Sequence, residues 1–225
     1  MAAAIPIPLD QQLLDACAAL LLLLSFAMLS QRRVVALVNL LATQGAVLVA
    51  ATLLLAYRTG QGHLYVSAGL TFALKVVFLP WLLHRLIRRL EVYWDTEPLM
   101  NISGTMIAGL VVVVFAFGLA QPITQLASTS ARSAIGIAVS VILLAFLMMI
   151  TRRKAMSQVV GFLSLENGLF FGAMSATYGM PMVVELGVAL DVLVAMLVLG
   201  VFFFQIREQF DSLDLHHLES LKERE

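Results

Sequence analysis

The sequence of 225 residues is 61% hydrophobic and 12% charged, about half the charged fraction of a soluble domain. This composition excludes a water-soluble globule and also a disordered chain, which needs low hydrophobicity and high charge. The 14 basic and 14 acidic residues balance, which argues against a nucleic-acid partner. The single cysteine, Cys17, excludes internal disulfides, cysteine zinc sites and iron–sulfur ligation. The remaining class is an all-α integral membrane protein.

Seven apolar runs predict a bundle of about seven transmembrane helices. Each run has, or nearly has, the roughly 20 residues that a helix needs to cross a bilayer. In chain order they are Leu13–Leu29, Val34–Tyr57, His63–Ile87, Asn101–Ala120, Ala134–Ile150, Gln158–Tyr178 and Met182–Ile206. The longest connector is polar and predicts three parts: a three-helix part over residues 1–90, a four-helix part over residues 91–206, and a charged tail over residues 207–225.

The basic residues predict the orientation of the bundle. Only two follow even-numbered helices, Arg58 and Arg132, and Lys75 lies inside a span. The other eleven follow odd-numbered helices: Arg32, Arg33, Arg85, Arg88, Arg89, Arg152, Arg153, Lys154, Arg207, Lys222 and Arg224. Because basic residues concentrate on the cytoplasmic side, the amino terminus is expected outside and the tail in the cytoplasm.

Four charged side chains fall inside or near the spans and are the candidate relay residues. A charge at the bilayer centre costs at least about 2.5–3.5 kcal/mol, so such residues often mark an ion or proton path. Counting at about 1.5 Å per residue from the turn at Gly179–Pro181 places Glu166 and Asp191 within about 3 Å of one level near the midplane. Lys75 lies near the middle of the third helix, which completes a predicted proton-transfer row. Glu185 lies closer to the turn and is expected at the outer rim.

A purely structural role for these groups stays open at this point. Lys75 can extend its ammonium towards the membrane surface, and the acids can serve as assembly contacts, Glu166 with Asn167 for example. Asn39 and Gln44 in the second helix are interpreted as hydrogen-bonding groups between helices rather than as ligands.

Proline and glycine predict local features beside the charged residues. Pro80 follows Lys75 by five residues, so a kink or local opening of the third helix is expected there. Gly168 and Gly172 lie four residues apart on the sixth helix and predict a close contact with another helix near Glu166. The chain has no nucleophile–base pair, metal-ligand cluster or nucleotide loop, so no catalytic residue, metal or cofactor is predicted within it.

The motif Gly161-Phe162-Leu163-Ser164-Leu165-Glu166-Asn167-Gly168 resembles the G-x-x-x-x-E-N-G region of component E of hydrogenase-4-type complexes. It also resembles the glutamate helix of subunit K of proton-pumping NADH:quinone oxidoreductase and that of component C of Mrp-type cation/proton antiporters. Further stretches similar to the hydrogenase component are Lys75–Pro80, Val184–Asp191 and Ser212–Lys222. The resemblance extends over nearly the whole chain and is clearest over residues 152–222.

The resemblance implies a non-catalytic membrane-arm subunit of a hydrogenase or formate hydrogenlyase-like complex in a bacterial or archaeal cytoplasmic membrane. Its partners would be membrane lipid, antiporter-like subunits and other membrane-arm subunits, and its role would be proton or Na⁺ translocation. Glu166 matches the principal glutamate of the pattern, and Asp191 stands where subunit K carries a second glutamate. Lys75 belongs to helices that subunit K lacks. Two alternatives stay open: a subunit of a non-redox antiporter or inorganic-carbon uptake complex, and a purely structural assembly subunit.

Overall fold

The computed structural model describes residues 9–90, 101–126 and 129–177, and positions 187, 192, 193, 196 and 200. The regular elements in this part of the chain are helices. In chain order they are α1 (Leu9–Ser30), α2 (Val34–Thr59), α3 (Gly62–Thr71), a π-helical segment (Phe72–Phe78), α4 (Leu79–Leu90), α5 (Ile102–Leu126), α6 (Thr129–Thr151) and α7 (Ala155–Thr177).

Six helical spans within the described residues are long and apolar enough to cross a membrane. They coincide with the first six predicted runs, and α3, the π-helical segment and α4 form one of them, Gly62–Arg89. The protein is therefore a multi-pass helical membrane protein. Most of the seventh predicted run, Met182–Ile206, lies outside the described residues, although Gly187 and four positions beyond it are helical. The count of seven and the orientation stay predictions.

The chain divides into two compact units. Residues 1–189 form the first unit, which contains α1 to α7. Residues 190–225 form the second, of which the structure describes Val192, Leu193, Met196 and Gly200. The predicted division at residues 90 and 91, and the separate tail, stay predictions.

Helix ends in the first unit are stabilised by specific polar contacts. The buried guanidinium of Arg152 donates from Nη2 to the carbonyl oxygen of Leu29, in the last turn of α1, at 3.0 Å, and to that of Gln31, just after the helix, at 2.6 Å. At the end of α2, Gly60 adopts a left-handed conformation with φ of 67°, and its N–H donates to the carbonyl of Ala56. This conformation is favourable for glycine because it has no Cβ.

Helix α2 is central to the packing of the first unit. It contacts α1, α3, the π-helical segment, α4 and α7, whereas α5 packs on α6 and α1. Helix α7 lies along α6, and the two approach closely at Gly168 and Gly172. A Cβ added at Gly168 would lie 3.0 Å from the Val141 side chain, and one at Gly172 would lie 2.9 Å from the Cβ of Ala138. The two glycines let α7 pack closely against α6, whereas Glu166, about 200° around the helix from Gly168, faces Lys75 of the third span.

Candidate functional site

A buried ion pair joins the third span to α7. The Nζ atom of Lys75 lies 3.2 Å from Oε1 of Glu166, and the two side chains are 4% and 2% exposed. Lys75 also donates to Oδ1 of Asn167 at 2.9 Å, and its ammonium lies 5.5 Å from the centre of the Phe170 ring. The lysine is thus held by three kinds of group on α7: a carboxylate, an amide and an aromatic face.

The π-helical segment places Lys75 against α2. The N–H of Leu79 donates to the carbonyl of Leu74, five residues back, and the next residue, Pro80, has no N–H to continue the pattern. A Cβ added at Gly45 on α2 would lie 3.2 Å from the Cβ of Lys75 and 3.3 Å from its carbonyl oxygen. The backbone of the third span therefore approaches α2 closely at the charged residue. Such wide turns inside α-helices are frequent at functional sites.

A chain of hydrogen bonds runs from Lys75 across α7 and α2 to α1. Asn167 accepts from Lys75 and donates from Nδ2 to Oε1 of Gln44 at 3.1 Å. Gln44 donates from Nε2 to Oγ of Ser25 at 3.0 Å, and Ser25 donates to the carbonyl oxygen of Leu21 at 2.9 Å. Every side chain in this polar chain is buried, and Gln44 is 0% exposed.

All the hydrogen bonds in the polar chain run in the same direction. In each bond the donor belongs to the residue nearer to Lys75 and the acceptor to the next residue along the chain of bonds. The side-chain oxygen of Asn167 therefore faces the ammonium of Lys75. If Asn167 turned its amide over, it would present a donor to Lys75 and lose its acceptor on Gln44. The amides therefore position Lys75, whereas the Glu166 carboxylate is the group beside it that can exchange a proton with it.

A small cavity adjoins the ion pair. Its volume is about 10 Å³, and its lining includes Leu41, Leu79 and Leu163 together with Lys75, Glu166 and Asn167. A cavity needs roughly 10–15 Å³ to hold one water molecule. The space beside the pair is thus at the lower limit for a single water.

The structure brings together two of the four predicted relay residues, Lys75 and Glu166. Asp191 and Glu185 lie outside the described residues, so their place in the row stays a prediction. Pro80 lies in the first turn of α4, directly after the π-helical segment. Among the residues that the structure describes, no group of three or more histidine, cysteine, aspartate or glutamate side chains is placed to hold a metal ion.

Ser25 and Phe170 both contribute to the site, and the sequence singles out neither of them. The sequence predicts Asn167 as a contact of Glu166 and Gln44 as a hydrogen-bonding residue between helices, but it connects neither of them to Lys75 or to α1. For Ser25, the one signal in the sequence is that it directly follows five consecutive leucines of α1. Asn39, interpreted together with Gln44, is exposed on α2.

Fold and site together define a class: a multi-pass helical membrane protein with a lysine–glutamate pair buried among its helices. The chain is 36% identical to Uncharacterized protein Rv0085 of Mycobacterium tuberculosis over 212 residues, covering 94% of this chain and 96% of that protein. The chain belongs to the family of this mycobacterial protein.

More distant similarity connects the chain to hydrogenase-4 component E. The proteins of that name from Escherichia coli and Shigella flexneri are each 25% identical over 182 residues, covering 80% of this chain and 84% of theirs. No family model matches the sequence. No solved structure matches it either.

Proposed function

We propose that the chain is a non-catalytic membrane-arm subunit of a hydrogenase-like, complex I-related assembly, and that its buried lysine–glutamate pair takes part in proton or Na⁺ translocation. The similarity to hydrogenase-4 component E supports the assembly, because it extends over 80% of this chain. The partners would be antiporter-like subunits and other membrane-arm subunits. The bacterial relatives support a place in the cytoplasmic membrane.

The observation that carries the proposal is the burial of the pair and the central position of each residue along its helical span. Glu166 stands eleven residues from each end of the span Ala155–Thr177, and Lys75 stands thirteen and fourteen residues from the ends of Gly62–Arg89. Both side chains are therefore central in their spans and also excluded from the surface of the bundle. Ionisable groups in such positions are costly, and they characteristically serve ion or proton pathways.

The geometry supports a simple exchange between the two groups. Transfer of one proton from Nζ of Lys75 to Oε1 of Glu166 converts the ammonium and carboxylate into a neutral amine and a neutral acid. Because these two atoms are only 3.2 Å apart, the proton can be transferred without any rearrangement of the helices. Asn167 keeps the lysine in place in both states, because its oxygen accepts from an amine as well as from an ammonium. Asp191 and Glu185 are proposed as later members of the same relay.

Purification of the full chain from its native membrane tests the assembly. A mild detergent and mass spectrometry of the recovered proteins are sufficient. The proposal predicts antiporter-like membrane subunits together with a nickel–iron large subunit and iron–sulfur proteins. Antiporter-like subunits without any redox subunit would instead favour a non-redox antiporter or an inorganic-carbon uptake complex.

The same purification separates a relay from an assembly contact. Glu166→Gln keeps the size of the side chain and one acceptor oxygen, and removes its charge. If the acid is a relay, this variant recovers the same partners as the wild type. Ser164→Ala, a buried change on the same helix, is the matched control. Loss of partners with Glu166→Gln and also with Lys75→Met combined with Glu166→Gln, which leaves neither charge of the pair buried, but not with Ser164→Ala, would indicate that the acid serves assembly.

A further inference from the structure

A basic groove lies at the end of the third span, away from the buried ion pair. Its volume is about 530 Å³, and its lining includes Trp81, His84, Arg85, Arg88 and Arg89. All five residues belong to α4, whose last two turns complete the span Gly62–Arg89. The groove is therefore at the depth where a span leaves the hydrocarbon and meets the lipid headgroups.

Part of the groove is held in place by contacts within α4. The guanidinium of Arg85 lies 5.5 Å from the centre of the Trp81 ring, a cation–π arrangement. The ring of His84 is tied to the preceding turn, because its Nδ1 lies 2.7 Å from the carbonyl oxygen of Pro80, which accepts the hydrogen bond. The Trp81 side chain is 54% exposed. Tryptophan is enriched at membrane interfaces, where its amphipathic ring lies at headgroup level.

The charge of the groove is not balanced by nearby acids in the described part of the chain. Arg58 pairs with Asp10, and Lys75 pairs with Glu166. Arg85, Arg88 and Arg89 are exposed and belong to neither pair. The negative end of the α4 dipole favours cations in the last turn of the helix, and this is a sufficient reason for the presence of Arg88 and of Arg89. It does not explain why these two arginines line one groove together with Arg85 and Trp81.

We propose that this groove binds the phosphate of an anionic phospholipid headgroup. The planar guanidinium groups of Arg88 and Arg89 match the oxygens of a phosphodiester, and Trp81 would lie beside the glycerol region. A lipid is favoured over free phosphate because the groove adjoins the end of a membrane span and carries an exposed tryptophan. Basic pockets beside transmembrane helices are a recurrent form of lipid headgroup recognition.

Native mass spectrometry of the purified full chain tests this site with phosphatidylglycerol and phosphatidylcholine as probes. The double change Arg88→Gln and Arg89→Gln should lower retention of phosphatidylglycerol by roughly tenfold or more, and leave phosphatidylcholine unchanged. The matched control is Arg32→Gln with Arg33→Gln. This control also removes two positive charges, and it leaves the residues that line the groove unchanged. Arg32 and Arg33 precede α2, which is antiparallel to the third span, so they lie at the same end of the bundle as Arg88 and Arg89. This control should keep the wild-type preference.

Three results would overturn the proposal. The first is an equal loss of phosphatidylglycerol in the control, which would indicate a diffuse charge effect. The second is full displacement of the lipid by millimolar inorganic phosphate, which would identify a free anion as the ligand. The third comes from the wild-type chain, so that it does not depend on folding of a variant: photoactivatable phosphatidylglycerol should label Trp81–Arg89, and labelling elsewhere alone would exclude the groove.

Discussion

At the scale of single residues, the site is a set of buried polar groups that depend on one another. Lys75, Asn167, Gln44 and Ser25 each use the next side chain as an acceptor or donor. In a low-dielectric interior such bonds are strong, and a buried group that loses its partner is costly. Removal of one member should therefore affect stability more than its single contact suggests.

Replacement of Gln44 tests the polar chain. Gln44→Leu removes the acceptor of the Asn167 amide and the donor to Ser25, and we expect the unfolding free energy to fall by about 1–3 kcal/mol. Unfolding of the purified full chain in mixed micelles measures this. Asn39→Leu is the control, since Asn39 is a polar residue of the same helix that is exposed. An equal loss of stability in both variants would contradict the role given to Gln44.

A double-mutant cycle tests the ion pair. Lys75→Met leaves the Glu166 carboxylate buried without this cation, and removal of one partner of a buried pair typically costs about 3–5 kcal/mol. Lys75→Met combined with Glu166→Gln should recover a large part of that loss, because no charge is then left buried. Thermal unfolding of the single and double variants gives the coupling energy. Additive losses would show that the two side chains do not interact.

At the scale of elements, the position of Lys75 depends on the contact between α2 and the π-helical segment. Because Gly45 has no side chain, the backbone at Lys75 can pack directly against α2. A Cβ added at Gly45 would lie only 3.3 Å from the carbonyl oxygen of Lys75. The shift in helical pattern ends directly before Pro80, which cannot donate a hydrogen bond. The π-helical segment therefore has two causes. One is local, the proline that follows it, and the other is tertiary, the glycine on the neighbouring helix.

Valine at position 45 should separate these two elements. We expect Gly45→Val to lower the unfolding free energy by about 1–3 kcal/mol through overpacking, and to weaken the hold of Asn167 on Lys75. Gly69→Val is the matched control on α3, because nothing lies within 4 Å of a Cβ added there. Denaturation of both variants under the same conditions compares them. A neutral Gly45→Val would mean that the close approach is not needed.

At the scale of the whole molecule, the polar contacts distinguish two ends of the bundle. Arg152 binds the backbone at the end of α1, at the same end as Arg32 and Arg33. Asp10 and Arg58 pair at the opposite end, where α1 begins and α2 finishes. The end with more basic residues is the one predicted to face the cytoplasm.

Labelling of introduced cysteines tests that orientation. Cys17 is the single native cysteine, so Cys17→Ala gives a background without thiols. In intact cells a membrane-impermeant maleimide should label Gly62→Cys, at the start of α3, and should label Arg32→Cys only after the membrane is opened. The opposite pattern would show that the bundle is inserted the other way round.

The position of a residue along its helix can be predicted from the sequence, whereas the rotation of helices about their axes cannot. Counting residues predicts a central position for Lys75 and Glu166, and both residues are central in the helical spans that the structure describes. Which side chains meet depends on how helices rotate and pack. The sequence therefore does not predict the bond from Asn167 to Gln44 or the bond from Gln44 to Ser25. Pro80 predicts a local change in the helix, but not that a π-helical segment extends over Phe72–Phe78. This segment contacts α2, and a contact between helices cannot be predicted from the residues around Pro80.

The most direct test of the central claim is the number of ions translocated per turnover by the purified complex in sealed liposomes. We predict that Glu166→Gln lowers this ratio while the full set of partner proteins is retained, and that Ser164→Ala leaves the ratio at the wild-type value. A Glu166→Gln complex that is fully assembled and translocates ions at the wild-type ratio would contradict a relay through the buried pair.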